Sequence, residues 1–376
     1  MLLQKLWAAS MKSNTSLFFI FICLAFSFTI TSPASGNPES PDPPFLINYL
    51  RMEDPITFCG ETVPLDNQDI RERFEKEMLL SLWNRPQVIL WIKRSNRHFP
   101  LIGKMLKDAD MPDDLKYIAL IESALLPHAG SSKGAIGYWQ FTASTGKKYG
   151  LTIDEGLDER RSLHASTRAA LHCLKEYHGV FNSWTLAAAA YNMGLQGMKT
   201  EILAQKTNDY YSLYLPLETQ RYILRIAAAK LIISNPEKYG FLFTNEDLYQ
   251  PYTCERITFK SPERLPVRIV AEAANTSFKV IKDLNPEIRG YYLNEGTYSI
   301  FVPAEASEQF HSRYTRLLEQ WMSEETEYLY TVKKGDNLSI IADRFNVPLP
   351  ALFLWNDLEI DEPIHPGDRL LIYPQK

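Results

Sequence analysis

Between Asp113 and Pro127 the chain reads Asp-Asp-Leu-Lys-Tyr-Ile-Ala-Leu-Ile-Glu-Ser-Ala-Leu-Leu-Pro, with apolar residues at helical spacing and one carboxylate among them. Leu115, Ile118, Ala119, Glu122 and Leu125 share one helix face. Asp113 and Asp114 read as an N-cap and an acidic first turn, and Pro127 as a stop. A fold that buries this apolar stripe buries Glu122 with it. An ionised carboxylate is costly there, so its proton affinity should rise above the usual pKa of about 4.3. Two environments meet that constraint. One is a structural ion pair with Lys or Arg. The other is a site that needs a general acid still protonated near neutral pH.

The downstream residues favour the second. From Pro127 to Phe141 the sequence is Pro-His-Ala-Gly-Ser-Ser-Lys-Gly-Ala-Ile-Gly-Tyr-Trp-Gln-Phe, so Gly134 and Gly137 lead into an aromatic-Gln-aromatic cluster. Glycines there allow tight turns. Aromatic rings beside an amide suit a sugar, offering an apolar face to its ring and hydrogen bonds to its substituents. Ala187 to Ala190 then form a small-residue helix that ends in Tyr191-Asn192-Met193-Gly194, with the glycine as cap. Glu218-Thr219-Gln220-Arg221-Tyr222-Ile223 comes later.

Glu-Ser, Gly-x-x-Gly-x-Trp-Gln-Phe, Ala-Tyr-Asn-x-Gly and Glu-Thr-x-x-Tyr-Ile, in this order within residues 96 to 236, resemble the family 1 lytic transglycosylases, and among them the membrane-bound D-type subgroup. The resemblance implies a mainly α, goose-type-lysozyme-like SLT domain that cleaves bacterial cell-wall glycan. It implies non-hydrolytic cleavage of the β-1,4 bond between N-acetylmuramic acid and N-acetylglucosamine. Glu122 would protonate the leaving oxygen and then, as a carboxylate, take the proton from the muramoyl 6-hydroxyl. That hydroxyl closes on C1 and leaves a 1,6-anhydro end. Hydrolases of this type generally need two carboxylates; an intramolecular nucleophile already in place removes that need.

By the same resemblance Gln140, Tyr191 and Asn192 line the substrate groove, Tyr222 orients Glu122, and Ser131 faces the leaving-group or acetamido side. Trp139 reads equally as groove wall or core. Tyr138 stands where the family often has Leu, and Thr142 where some relatives carry Met. Asp154, Glu155, Asp158 and Glu159 read as a polar loop of surface or structural residues. A hydrolytic lysozyme on the same fold, or a catalytically dead peptidoglycan-binding protein, are the alternative readings.

Composition bounds the remainder. The 376 residues carry a net charge of -5, and no basic run appears, which argues against a nucleic-acid surface. Lys5 and Lys12 precede an apolar run from Leu17 to Ile30, and small residues follow at Ser32 to Gly36, the pattern of an export signal. The run is short for a membrane span; left uncleaved, it would tether the chain to a membrane. The resemblance implies residence in the periplasm or envelope of a Gram-negative bacterium. Ile22 before Cys23 departs from lipoprotein signals. Cys59, Cys173 and Cys254 remain, an odd number that permits at most one disulfide, with Cys59 and Cys254 flanking the catalytic region. His164, His172, Cys173 and His178 point in several directions on one helix, so neither a metal nor any other cofactor is expected.

The C-terminal part repeats itself. Shifted by 71, Leu284-Asn285 meets Trp355-Asn356, Gly296 meets Gly367, Ile300 meets Leu371 and Pro303 meets Pro374, without a gap. Each copy reads strand, helix, helix, strand. The second, with Gly335-Asp336, Asn356 and Pro366-Gly367, resembles a LysM domain, a small α+β (βααβ) module that binds glycans containing N-acetylglucosamine. The first has Arg264-Leu265 in place of Gly-Asp and reads as degenerate. The expected organisation is a signal peptide at 1–36, a linker and helical extension at 37–95, the SLT domain at 96–236, the degenerate LysM-like domain at 252–304, a linking helix at 305–326 and the LysM domain at 327–376.

A second glycan-binding module raises effective concentration on a polymer and does nothing for a ligand too short to bridge both sites. Deleting residues 327–376 should therefore weaken sacculus binding about ten-fold or more and leave turnover of short soluble glycans intact. Pull-down on sacculi beside a soluble-substrate assay checks this. Equal slowing on both substrates would make the module structural.

Overall fold

The computed structural model describes residues 46–51, 55–262, 264–323, 328–356, 358–359 and 362–373. The expected signal segment, Cys23 and residues 37–45 of the expected linker lie outside them. A 3-10 helix over Leu46–Leu50 precedes a hairpin of β1 (Thr57–Phe58) and β2 (Glu61–Thr62). Two long helices follow, α1 (Gln68–Trp83) and α2 (Arg85–Asp108). Asn67 caps α1 by accepting from the amides of Asp69 and Ile70. The chain then forms α3 (Lys116–Ser123), α4 (Ala143–Lys148), α5 (Leu163–Phe181), α6 (Trp184–Met193), α7 (Leu195–Gln205) and α8 (Leu217–Ser234). Their apolar faces build one core, from Ile56 to Phe241, that also holds Trp139 and Tyr222.

α3 differs from the sequence expectation at both ends. Its entry is a 3-10 turn over Asp113–Leu115, and no side chain caps it. Asp114 is used elsewhere: its Oδ2 accepts from the Cys59 amide at 2.7 Å and from Lys230 Nζ at 2.7 Å. Pro127 is not the stop. Ala124 and Leu125 take left-handed backbone angles, φ 52° and 58°, and end the helix at Ser123. Each such residue costs about 1–2 kcal/mol without a glycine; the side chain of Leu125, buried in the core, offsets part of that.

α6 is apolar all round and buried, as its alanines require. Its N-terminus is half-buried, and its free amides need partners. Glu61 from β2 supplies them. Its carboxylate accepts from the amides of Trp184 at 2.5 Å and Thr185 at 3.0 Å, and from Ser183 Oγ at 2.8 Å.

Two small cores follow. The first holds β3 (Cys254–Ser261), β4 (Leu265–Pro266), α9 (Val267–Ala273), α10 (Phe278–Leu284), β5 (Tyr292–Leu293) and β6 (Gly296–Pro303). β3 pairs antiparallel with β6 from Cys254–Pro303 to Ser261–Gly296, and β4 with β5. α11 (Phe310–Ser323) packs Phe310 and Tyr314 into this same core. The second holds β7 (Tyr328–Thr331), α12 (Leu338–Phe345), α13 (Leu349–Trp355) and β8 (Arg369–Ile372), with β7 and β8 antiparallel. Both copies thus have the strand-helix-helix-strand order.

The repeat has one correction. Asn285 donates to the Ile281 and Phe301 carbonyls and accepts from the Phe301 amide. Asn356 makes the same three bonds with Leu352 and Leu371. The partner lies 16 residues on in the first copy and 15 in the second, so the first carries one extra residue and a gapless shift misplaces its last strand. Cys59, Cys173 and Cys254 are all free thiols.

Glu61→Ala removes three acceptor contacts at a half-buried helix N-terminus and should cost about 1–2 kcal/mol. Thermal unfolding of the catalytic region checks this, with Glu61→Asp as an intermediate case. An unchanged midpoint would show that water replaces the carboxylate.

Candidate active site

Glu122 is the last-but-one residue of α3, at the end of a helix whose Ile118, Ala119 and Leu120 are wholly buried. The position is half-buried and opens on a cleft of about 380 Å³. Glu122, Ser131, Gln140, Tyr191 and Asn192 all line this cleft. Tyr222, 2% exposed, lies behind the acid on α8 and donates from its hydroxyl to Glu122 Oε1 at 2.5 Å.

Burial pushes the Glu122 carboxyl up to about 7. The Tyr222 hydrogen bond and the positive charge of Arg225 work against that rise, and the negative charge of Glu218 adds to it. Desolvation wins, so the group holds its proton at a pH where an exposed glutamate has lost it.

A looped segment carries the other wall. Ser131 and Ala135 exchange two contacts: the Ser131 amide donates to the Ala135 carbonyl at 2.9 Å and the Ala135 amide to Ser131 Oγ at 3.1 Å. Gly137, at φ +86°, passes so close to residue 160 that a Cβ would sit 1.8 Å from the Arg160 carbonyl oxygen. Only glycine fits. Gln140 is itself left-handed, at φ 50°. Its Nε2 donates to the carbonyls of Ala129 at 3.0 Å and Gly137 at 2.9 Å, so its amide donors are committed within the loop. Trp139 is core: it is fully buried and its indole N–H donates to Thr167 Oγ1 at 2.9 Å.

The Tyr191 hydroxyl donates to the Trp139 carbonyl at 2.7 Å, and Asn192 Oδ1 accepts from Thr219 Oγ1 at 2.8 Å. Both cleft residues of α6 are therefore fixed from behind. Sequence reasoning missed three participants. Ser123 ties the end of α3 to the loop through its hydroxyl, which donates to the Ala119 carbonyl and, at 2.8 Å, to the Tyr138 carbonyl. Tyr177 lines the cleft from α5. Glu218 brings a second carboxylate to the cleft, in a motif quoted above but given no part there. Asp158, read as one of several polar-loop residues, is 1% exposed and paired with Arg160. Among the described residues no group of three His, Cys, Asp or Glu is placed to hold a metal ion.

Fold and cleft together define a lysozyme-like helical domain built around one proton-holding glutamate, followed by small βααβ modules. The transglycosylase SLT domain family matches residues 100–213, and the LysM domain family matches residues 330–372. Over 332 residues the chain is 31% identical to "Membrane-bound lytic murein transglycosylase D" of Escherichia coli K12, covering 84% of this chain and 72% of that protein. The protein of the same name from E. coli O6:H1 strain CFT073 shows the same identity and coverage. The chain belongs to the lytic murein transglycosylase D family.

With the acid near 7, activity should be full below neutrality and fall as pH rises through about 7. Tyr222→Phe removes a hydrogen bond that favours the ionised form. The alkaline limb should therefore move to higher pH while kcat drops about 10–100-fold from lost orientation. A pH–rate profile of both enzymes checks the sign. A limb that moves to lower pH would contradict the donor role of Tyr222.

Proposed function

We propose that this chain is a peptidoglycan lytic transglycosylase that cleaves the β-1,4 bond from N-acetylmuramic acid to N-acetylglucosamine. The observation that carries the proposal is Glu122, raised to about 7 by burial and held by Tyr222 at the floor of a cleft. In this reading Glu122 protonates the glycosidic oxygen, and the departing sugar leaves an oxocarbenium-like C1. The carboxylate then removes the proton from the muramoyl 6-hydroxyl, whose oxygen bonds to C1. One residue acts as acid and then as base, and its proton affinity near neutrality suits both steps.

Tyr222 is the positioning residue for Glu122. Gln140, with both amide protons committed, presents its carbonyl oxygen to substrate as an acceptor; Asn192, with its oxygen committed, presents its amide as a donor. Tyr191 offers ring surface, since its hydroxyl is already used. Ser131, exposed at the cleft edge, contacts the leaving-group or acetamido side. The division into a catalytic region, a degenerate module and a glycan-binding LysM module is part of the same reading, with N-acetylglucosamine units as the LysM ligand. So are export by the N-terminal segment and residence in the envelope, which the membrane-bound relatives support.

A hydrolytic outcome is favoured by one observation, the Glu218 carboxylate in the same cleft. There it would activate water in place of the 6-hydroxyl. Mass spectrometry of products from purified sacculi separates the two. We expect 1,6-anhydro ends from the wild type and from Glu218→Gln, with rates within about ten-fold, and a loss of about 10²–10⁴-fold in Glu122→Gln. Reducing ends that vanish in Glu218→Gln would establish hydrolysis. Near-wild-type release from Glu122→Gln would remove the assignment altogether.

A further inference from the structure

The buried pair Asp158–Arg160 has no part in the chemistry above, yet it stands between the cleft and the first C-terminal module. Asp158 takes two bonds from Arg160, at 2.8 and 2.9 Å. Arg160 in turn reaches the cleft loop: its Nη1 donates to the Gly134 carbonyl at 3.2 Å and the Phe141 carbonyl at 3.4 Å. Its own carbonyl lies against the Cα of Gly137. Arg160 thus grips at three points the loop that carries Ser131 and Gln140.

The other side of this segment is held by the module. The Asp158 amide donates to the Glu287 carbonyl at 2.8 Å, and the Arg289 amide donates to the Gly156 carbonyl at 2.8 Å. Between them Leu157 and Ile288 form an antiparallel bridge, and Leu157 packs on the module's core. Arg289 Nη1 adds a cation 4.0 Å from Asp158 Oδ2. The tip of the module is stiffened for this contact. Lys282 Nζ donates to the Ile288 carbonyl, and at 3.0 Å to each of the Arg289 and Gly290 carbonyls.

We infer that the first module is a docked clamp: Leu157 and Asp158, gripped by residues 287–289, are positioning residues that hold the cleft loop in its binding geometry. This gives the copy that lost Gly-Asp a role in catalysis in place of glycan tethering. It rests on the reading that the cleft cleaves glycan. Asp158 is held by the module and by its bridge to Ile153, and Arg160 by Asp158, so loosening the module contact weakens the hold on the loop while the helices of the catalytic core stay packed.

The test uses the full chain with three variants. Leu157→Ala removes the side chain packed on the module's core, Arg289→Pro deletes the amide that bonds Gly156, and Leu157→Ile is the conservative control. Hydrogen exchange is read at the amides of residues 131–141 and in α5 and α6. Release of products from sacculi gives kcat and KM. Expected are loop amides exchanging about ten-fold faster in Leu157→Ala and Arg289→Pro with α5 and α6 unchanged. kcat should fall about ten-fold and KM stay within about two-fold, and Leu157→Ile should restore both readouts. Unchanged loop exchange and unchanged kcat in both disruptive variants would overturn the clamp. So would loss of protection throughout the catalytic region, which marks general destabilisation. A wild type without turnover would count against the enzymatic reading alone, and loop exchange would still decide the clamp.

Discussion

Removing water from the Glu122 carboxyl is the constraint around which the catalytic region is built. A carboxyl keeps its proton near neutrality only if protein replaces its solvent, and that protein must be rigid. α8 provides the rigidity. Tyr222 reaches Glu122, Arg221 pairs with Glu77 of α1 at 2.6 Å, and Thr219 holds Asn192 of α6. Lys230 joins Asp114 and the Thr57 carbonyl, at 2.7 and 2.9 Å. The polar contacts of α8 reach α1, α3, α6 and β1, so one helix anchored at several points holds both the acid and the Asn192 amide. Glu61 fixes the opposite end of α6, which carries Tyr191 and Asn192.

Much of this was legible in the sequence, for a physical reason. The Glu122 stripe has the 3.6-residue period, and the alanine run before Tyr191 is too apolar to face water, so both helices could be placed from the chain alone. The four motifs carried the cleft residues that the fold brings together. What escaped depends on contacts distant in sequence. The side taken by Trp139 is set by Thr167, 28 residues on, and the Tyr191 hydroxyl by the Trp139 carbonyl, 52 residues back. The end of α3 escaped because Ala124 and Leu125 carry no turn signal; tertiary packing of Leu125 imposes their left-handed angles. α4 escaped because Ala-Ser-Thr-Gly-Lys-Lys has no apolar stripe to betray it. Asp158 sits in a charged run that reads as solvated, and Arg160, Arg161 and the neighbouring module make its burial tolerable.

The two C-terminal copies show what a repeat keeps when one copy loses its motif. Asn285 and Asn356 make the same three bonds between the second helix and the last strand, so that side chain belongs to the fold of the module. Gly335 is left-handed at φ +95°, and Arg264 in the first copy keeps a left-handed φ of 54° despite its side chain. The turn geometry has outlived the glycine that made it cheap. Asp336 has no counterpart there. In the second copy its carboxylate accepts from the Lys333 amide at 2.8 Å and pairs with Arg344 at 3.0 Å, closing the turn. The first copy closes the same region with the β4–β5 pairing and sets Arg264 over the Tyr292 ring.

Two opposite charges flank Tyr222 along α8, Glu218 four residues before it and Arg225 three after. Both lie near the same helix face, so both act on Glu122, one raising and one lowering its proton affinity. Burial is the largest influence and the Tyr222 hydrogen bond the largest opposing it, ahead of either charge. The same placement bears on Glu218 as a second catalytic carboxylate. Glu218 is exposed and shares a helix with the residue that holds the acid, whereas a water-activating base must face the acid across the sugar ring. A carboxylate one turn along the same helix is better placed to tune Glu122 by its charge than to deliver water to the opposite face of C1.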